Sequence, residues 1–318
     1  MEERITPYLQ NLIRDGKTAI EIQFKAVPQE GESVFAESDP LGEESLYNPV
    51  KGLVHKFRNR VLWKVSYRCA AHCQFCTRVR QIGNPEGDLT NDDIKRCLEY
   101  ISSHPEVDDV ILSGGDPFAT PQPTNRIVEG LTTIQSVKVI RVDTRVPIQS
   151  PRSMHSTALR ELVRRLQLLA ESKAVYILVH VNHSDELTRE ARESLTALRK
   201  TGIPILSQTV FLKDVNDDIS TLTELFQELY YLGVIPYYIY RCDYVQGLER
   251  FVCDLGKERE IMTQLRSNLS GMAVPTYVVD VAGRGKIPIP LKFWGVPQPE
   301  KCVDFDGKPI DLYFPRRK

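Results

Sequence analysis

Three cysteines fall within eight residues of the chain, in CAAHCQFC at positions 69–76, with three residues and then two between them. Thiolates are soft metal ligands, and three so close together point to metal chemistry. A tetrahedral zinc site would want a fourth ligand, usually from a second pair, and none follows. His72 lies between two of the cysteines, where its side chain is expected to point elsewhere. Of the 7 cysteines, Cys97, Cys242, Cys253 and Cys302 stand singly and read as small buried apolar residues. Cys69, Cys73 and Cys76 can hold three irons of a [4Fe–4S] cluster, which leaves the fourth iron open for chemistry.

Such residues need a scaffold that brings others to the same place. The chain has 318 residues, 42% hydrophobic and 26% charged, an ordinary globular composition within the range of one α/β barrel. With 41 basic and 42 acidic residues the net charge is −1, which speaks against a nucleic-acid surface. The N-terminus is charged, without a signal-peptide apolar run, and no stretch reaches the about 18–20 apolar residues of a membrane span. A reducing, cytoplasmic location is the expectation, and there clustered cysteines mean metal more often than disulfides.

From Val61 onward, apolar and β-branched runs alternate with amphipathic stretches at a period of roughly 30–40 residues. The strand-like runs are 61–67, 109–115, 137–145, 174–182, 204–212, 234–241 and 275–280. Helix-like stretches fill 90–104, 156–170, 185–202 and 217–233, the last two opening on Asp and closing on Gly. Repeated strand–helix units predict parallel strands with helices outside. Polar residues at the C-terminal ends of the runs favour a barrel over an open sheet, because a barrel gathers them at one mouth. They are Cys69, Asp116, Asp143, Arg145, His180, Asn182, Gln208, Asp243 and Asp280. The fold class predicted is α/β, a partial (β/α)6 TIM-type barrel with short N- and C-terminal extensions. The N-terminal wrap of short helices and loops is assigned to 1–60, the barrel to 61–292, and a tail with a short strand or hairpin to 293–318.

The C-x3-C-x2-C spacing, with Phe75 before the last cysteine, resembles the radical S-adenosylmethionine superfamily. The resemblance implies that the open iron chelates S-adenosylmethionine and that an electron from the cluster cleaves it to a 5′-deoxyadenosyl radical. LSGGDP (112–117) matches the glycine-rich strand end of these enzymes, placing Ser113, Gly114, Gly115 and Asp116 at the methionyl group. A glycine pair alone is weak, since many only turn the chain; its register after the cysteine loop gives it weight.

The match narrows further. GLVHKFRNRVLWKVSYRCAAHCQFCTRVR (52–80), RVPIQSPR (145–152), VNHSDELT (181–188), VFLKDVND (210–217), PYYIYRCDYVQG (236–247) and SGMAVPTYVVDVAGRGKIPIP (270–290) are similar to the lysine 2,3-aminomutase family, over about residues 45–292. That likeness implies a second cofactor, pyridoxal 5′-phosphate. Lys286 in AGRGK matches the lysine that bonds it, in a loop one residue shorter than the family's and with Arg284 where the family has glycine. Lys56 and Arg60 match the cationic pair at the phosphate, though each is also an ordinary surface charge on an entry segment. Arg78 matches the arginine that binds the substrate α-carboxylate. Asp243 and Asp280 match the aspartates that hold the ε-ammonium of lysine, where a cap or loop role is the plainer alternative. Members acting on glutamate replace them. His180 and Gln208 match residues around S-adenosylmethionine, while Leu178 stands where lysine enzymes carry a polar residue. Arg241 replaces a usual glutamine, raising the expectation that it neutralises Asp243 or admits a different side chain.

The activity implied is migration of an α-amino group to the β-carbon by a radical route, L-lysine to L-β-lysine above the others. Arginine, ornithine or glutamate, or the lysine type that serves elongation factor P, are alternatives within the class. A radical enzyme without pyridoxal phosphate that modifies RNA or protein, and a non-catalytic iron–sulfur or zinc scaffold, lie outside it. The partners expected are a free amino acid and a flavodoxin- or ferredoxin-type electron donor, with no nucleic acid and no membrane. Family members with longer extensions form a zinc-linked tetramer; here the expectation is no structural zinc and at most a homodimer.

Overall fold

Alternation along the strand runs builds a sheet whose two faces differ in chemistry. The computed structural model describes residues 3–27, 38–39, 41–281, 284–291, 301–303 and 308–311. Its first strands form a hairpin, β1 (Leu53–Phe57) antiparallel to β2 (Arg60–Ser66). Six parallel crossovers follow, through α3 (Asn91–Ser103), β3 (Asp109–Gly114), α4 (Pro121–Thr133), β4 (Val139–Thr144), α5 (Val146–Gln149) with α6 (Thr157–Leu169), β5 (Ala174–His180), α7 (Arg189–Arg199), β6 (Ile205–Val210), α8 (Ile219–Tyr231), β7 (Ile235–Tyr240), α9 (Leu255–Asn268) and β8 (Thr276–Val281). β9 (Gly285–Pro288) then returns antiparallel to β8. The strands lie in sequence order from β1 to β9, with β1 and β9 at the two edges, as a partial TIM-type barrel requires.

On β4, Ile140 and Val142 are buried among the surrounding helices, whereas Arg141 and Asp143 line the cavity inside the sheet. The same alternation puts Val61, Trp63 and Val65 of β2 into the helix-packed core, and Leu62 toward the cavity. The helices answer with apolar faces at helical spacing: Ile94, Cys97 and Ile101 of α3, Leu159, Leu162, Leu166 and Leu169 of α6, Leu222, Leu225, Phe226 and Leu229 of α8. Each buried leucine removed to alanine would cost about 2–5 kcal/mol. Thr90, Ser156, Thr188, Asp218 and Asp254 cap the helix N-termini through their side chains. Gly202 and Gly233, at φ +81° and +73°, carry the chain out of α7 and α8 in the left-handed conformation.

Besides the four-residue α5, two helices escaped the sequence reading. α4 begins Pro-Gln-Pro and has Gly130 inside it, which masks its helical signal. That glycine is needed because a Cβ there would lie 2.3 Å from the side chain of Leu98 on α3. α9 buries Glu258 on the face where an apolar residue would have announced a helix.

The N-terminal segment contributes α1 (Pro7–Arg14) and α2 (Thr18–Phe24). Leu9, Ile20 and Phe24 pack on Ala71 of the cysteine loop, whose His72 and Gln74 N–H groups donate to Arg4 O (2.8 Å) and Gln23 O (2.8 Å). Residues 53–57 of the expected loop region are a strand. In the tail, β10 (Lys301–Val303) pairs antiparallel with β11 (Pro309–Asp311). The rest of the tail read from sequence, 293–300, 304–307 and 312–318, lies outside the described residues, as do Ala282 and Gly283 of the lysine loop. No described helix is long and apolar enough to cross a membrane.

Candidate active site

The strand ends converge on a cavity of about 350 Å³. Lining it are Lys56, Arg60, Cys69, Cys73, Cys76, Arg78, Ser113, Gly114, Gly115, Asp116, His180, Gln208, Asp243, Asp280 and Lys286, every site residue expected from the sequence. His72, expected to face away, borders it as well.

At one end lie the thiols. Burial raises Cys69, Cys73 and Cys76, the last to about 11; nearby negative groups, other cysteines of the trio among them, raise Cys69 and Cys76 further, whereas Arg145 draws Cys73 back down. Cys73 Sγ accepts from Arg145 Nη1 at 2.9 Å and Gln149 Nε2 at 3.3 Å, donors suited to a thiolate's charge. Arg145 is buried, bonds Glu186 at 2.7 Å and Gln23 at 2.6 Å, and lies over the rings of Phe24 and Phe75. Among the described residues, no three His, Cys, Asp or Glu side chains group as ligands of a single metal ion. Soft sulfur donors backed by hydrogen bonds fit an iron–sulfur cluster, which would be held by the three cysteines and would deprotonate them.

The glycines of LSGGDP are fixed by close approach. A Cβ on Gly114 (φ +103°) would lie 2.7 Å from Lys64 Cα, and one on Gly115 2.2 Å from Arg68 O, in the segment leading into Cys69. Asp116 ties this turn to β4: its carboxylate accepts from Phe118 N (2.9 Å), Thr144 Oγ1 (2.8 Å) and Arg145 N (2.7 Å). His180 and Gln208 are register partners on β5 and β6. Asn182 Oδ1 already accepts from Val210 N, so His180 Nε2 must donate to it (3.0 Å), which leaves Nδ1 as an acceptor. Burial, then the charge of Arg145, pushes His180 down to about 3, so the ring is neutral. Leu178, two residues back on β5, is buried and lines the cavity.

At the other end, register brings the lysine loop to an aspartate. Asp280 of β8 pairs with Lys286 of β9, and Lys286 Nζ stands 3.5 Å from Asp280 Oδ2 and 5.9 Å from the Tyr240 ring centroid. Lys56 Nζ reaches Asp280 Oδ1 at 3.1 Å. Arg60 shares Asp109 with Arg141, at 2.8 Å and 2.6 Å. Here four cations, Lys56, Arg60, Arg141 and Lys286, lie among Asp109 and Asp280, with Asp143 and Asp243 within electrostatic reach. Arg60 and Arg141 offer planar donors that fit a phosphate, and Lys286 supplies the amine that pyridoxal phosphate would need.

Burial, and then Asp280, pushes Asp243 up to about 7. Asp143 is raised to about 6 by burial, with its Oδ1 buried and unbonded. Arg78 points its Nε and Nη2 at Glu43, both at 2.7 Å. Arg241 turns away from Asp243: its guanidinium bonds Glu258 Oε2 (2.6 Å) and the Tyr244 hydroxyl (2.7 Å).

The sequence reading gave Asp143 and Arg145 a place at the mouth but no task, and passed over Glu43 and Arg141. Arg141 carried a signal: a charge at an alternate position of an otherwise apolar strand. Glu43 carried none, because its loop has no periodicity.

Residues 63–226 match the radical SAM superfamily. The L-lysine 2,3-aminomutase of Fusobacterium nucleatum is 34% identical over 310 residues, covering 95% of this chain and 71% of that protein. The L-lysine 2,3-aminomutase of Clostridium subterminale is 35% identical over 290 residues, covering 90% of this chain and 68% of that one. A radical SAM methyltransferase from Sphaerobacter thermophilus shares the fold at TM-score 0.50 and 17% identity, over 73% of this chain and 69% of that one. Three thiols in one half-buried loop, a glycine turn packed on the segment that leads into it and these two aminomutases agree: the chain is a radical SAM enzyme and belongs to the lysine 2,3-aminomutase family of isomerases.

Proposed function

We propose that the chain moves the α-amino group of a cationic amino acid, L-lysine above the others, to its β-carbon, with pyridoxal 5′-phosphate held at Lys286. The observation that carries this reading is the β8–β9 register, which sets Lys286 against Asp280 inside the cavity that the three cysteines line. When bound, the cluster with S-adenosylmethionine supplies a hydrogen-abstracting radical, and pyridoxal phosphate supplies a conjugated ring that spreads the unpaired electron while nitrogen passes from the α- to the β-carbon.

The chain's own residues bind and orient. Lys56 and Arg60, with Arg141 beside Arg60, hold the phosphate, and Lys286 offers its amine at the cofactor's reactive end. Arg78 takes the substrate carboxylate through a planar fork. Asp243 and Asp280 receive the side-chain ammonium. Two neighbouring carboxylates with one pushed up to about 7 gain from a cation between them. A glutamate side chain would add a further negative charge there. Arg241, engaged by Glu258, leaves that charge pattern intact. Holding the amino acid between these ends fixes which carbon meets the radical.

The test is an anaerobic assay of the reconstituted protein with lysine, arginine, ornithine and glutamate, read as β-amino product. Product from lysine, lost in Lys286→Ala together with the visible band of bound pyridoxal phosphate but with the cluster spectrum kept, is the expected result. Turnover of glutamate alone, or full activity of Lys286→Ala, would overturn the reading.

A further inference from the structure

The contact between Arg78 and Glu43 adds a residue to this machinery. We propose that Glu43 is a positioning residue for substrate recognition: it grips one edge of the Arg78 guanidinium and turns the adjacent edge toward the incoming carboxylate. The proposal rests on the aminomutase reading, in which Arg78 anchors the substrate's α-carboxylate.

A guanidinium has five N–H groups arranged around a plane. Glu43 takes two of them, Nε–H to Oε2 and one Nη2–H to Oε1, each at 2.7 Å. Both residues line the cavity. The grip therefore uses the Nε/Nη2 edge, and the Nη1/Nη2 edge is a second fork of the same width. An arginine held on one edge loses little further freedom when a carboxylate docks on the other.

Glu43 is itself held in place. The Asp39 carboxylate accepts from the backbone N–H groups of Glu43, Glu44 and Ser45, each at 3.0 Å, and Arg80 Nη2 bonds Asp39 Oδ1 at 2.9 Å. Arg78 and Arg80, two positions apart in the cysteine loop, thus seize the same strap at two points. The strap fixes Glu43, and Glu43 fixes Arg78.

Charge completes the arrangement. An arginine fully neutralised by a glutamate would attract a carboxylate weakly. Lys64, only 1% exposed, lies within electrostatic reach of Glu43, and its Nζ has no hydrogen-bond partner. Lys64 offsets part of the Glu43 charge, although burial lowers its own pKa, so Arg78 keeps part of its pull on a carboxylate.

A different reading has Glu43 as a stopper that mimics the substrate carboxylate and must leave before substrate enters. The two readings predict opposite changes in KM. The reconstituted enzyme is assayed with lysine and with lysinamide, which lacks the carboxylate, in the wild type and in Glu43→Gln. If Glu43 positions Arg78, Glu43→Gln raises lysine KM roughly tenfold, the worth of one charge-assisted hydrogen bond. Its kcat stays close to wild type, and the preference for lysine over lysinamide shrinks. Should Glu43→Gln fail to fold, Asp39→Asn, which frees the strap without touching Arg78, is read the same way. A lysine KM that is unchanged or lower in the folded variant overturns the proposal. No turnover of any amino acid by the wild type would instead defeat the aminomutase reading.

Discussion

Around Cys73 each charge has an opposite partner within bonding distance, whereas around Asp243, at the other end of the same cavity, carboxylates face one another. Arg145 answers both Glu186 and the Cys73 sulfur, and Glu186 also accepts from Asn182 N and His183 N, both at 2.9 Å. Gln23 of α2 joins this network from the N-terminal segment. The thiol end is therefore a closed ion-pair network that keeps its shape by itself. At the amino-acid end, Asp243 is raised to about 7 and Asp143 to about 6, both chiefly by burial. Lys64 Nζ and Asp143 Oδ1 stay buried and unbonded. Such groups lower the stability of the empty protein and gain when a complementary ligand arrives. One end is organised to hold a cofactor in place, the other to accept a charged guest.

The largest way to break this contrast is to open the network. Arg145→Ala strands the fully buried Glu186 carboxylate, and loss of one partner from a buried pair costs about 3–5 kcal/mol. The denaturant midpoint of the variant should fall accordingly; a change below about 1 kcal/mol would mean that the network is not what holds this end.

The opposite sign is expected at Asp243. Its folded-state value, about 7, lies above its ordinary 3.8. A carboxyl raised in this way favours folding most fully below its unfolded value, and that contribution is lost as pH rises through about 7. Ligand-free Asp243→Asn should therefore melt a few degrees above the wild type at pH 8, with the gap closing toward pH 4. The same substitution should raise lysine KM by roughly 10–100-fold, since a charged hydrogen bond to the ammonium is lost. In the wild type, lysine needs the ionised form, so KM should climb about tenfold per pH unit below about 7. The Asn variant should flatten that profile. A flat wild-type profile would show that Asp243 does not titrate against substrate.

How far the sequence announced this contrast follows from the same physics. Runs such as VKVIRVDTR give strands because alternation is a local property, and cysteine spacing is legible because ligands of one loop must be near in sequence. The glycine turn was legible as a motif, but its cause was not. Only the structure places Gly115 against the Arg68 carbonyl. The charge pairs were hidden because they join distant residues: Arg145 with Glu186, Arg60 and Arg141 with Asp109, Arg78 with Glu43. Sequence supplies the signs of such residues and leaves open which opposite charge each one meets. α9 went unread for the same reason, since its buried Glu258 makes sense only beside Arg241.

Arg241 is where the smallest effect on substrate is expected, and where sequence position misleads most. It stands two residues before Asp243, close enough along the chain to suggest that it neutralises that aspartate. Alternation along a strand would put residues 241 and 243 on one face, but both lie past the end of β7, and the Arg241 guanidinium is held by Glu258 of α9 although the residue borders the cavity. Glu258 also accepts from the Tyr277 hydroxyl, and Arg241 stacks its guanidinium toward Tyr244 at 5.5 Å. Burial pushes Glu258 up to about 7, so its ionised form depends on the arginine. Arg241→Gln should therefore lower the thermal midpoint measurably, while lysine KM stays within about twofold of wild type, a difference under 0.5 kcal/mol. A severalfold fall in KM would mean that Arg241, which borders the cavity, competes for Asp243 after all.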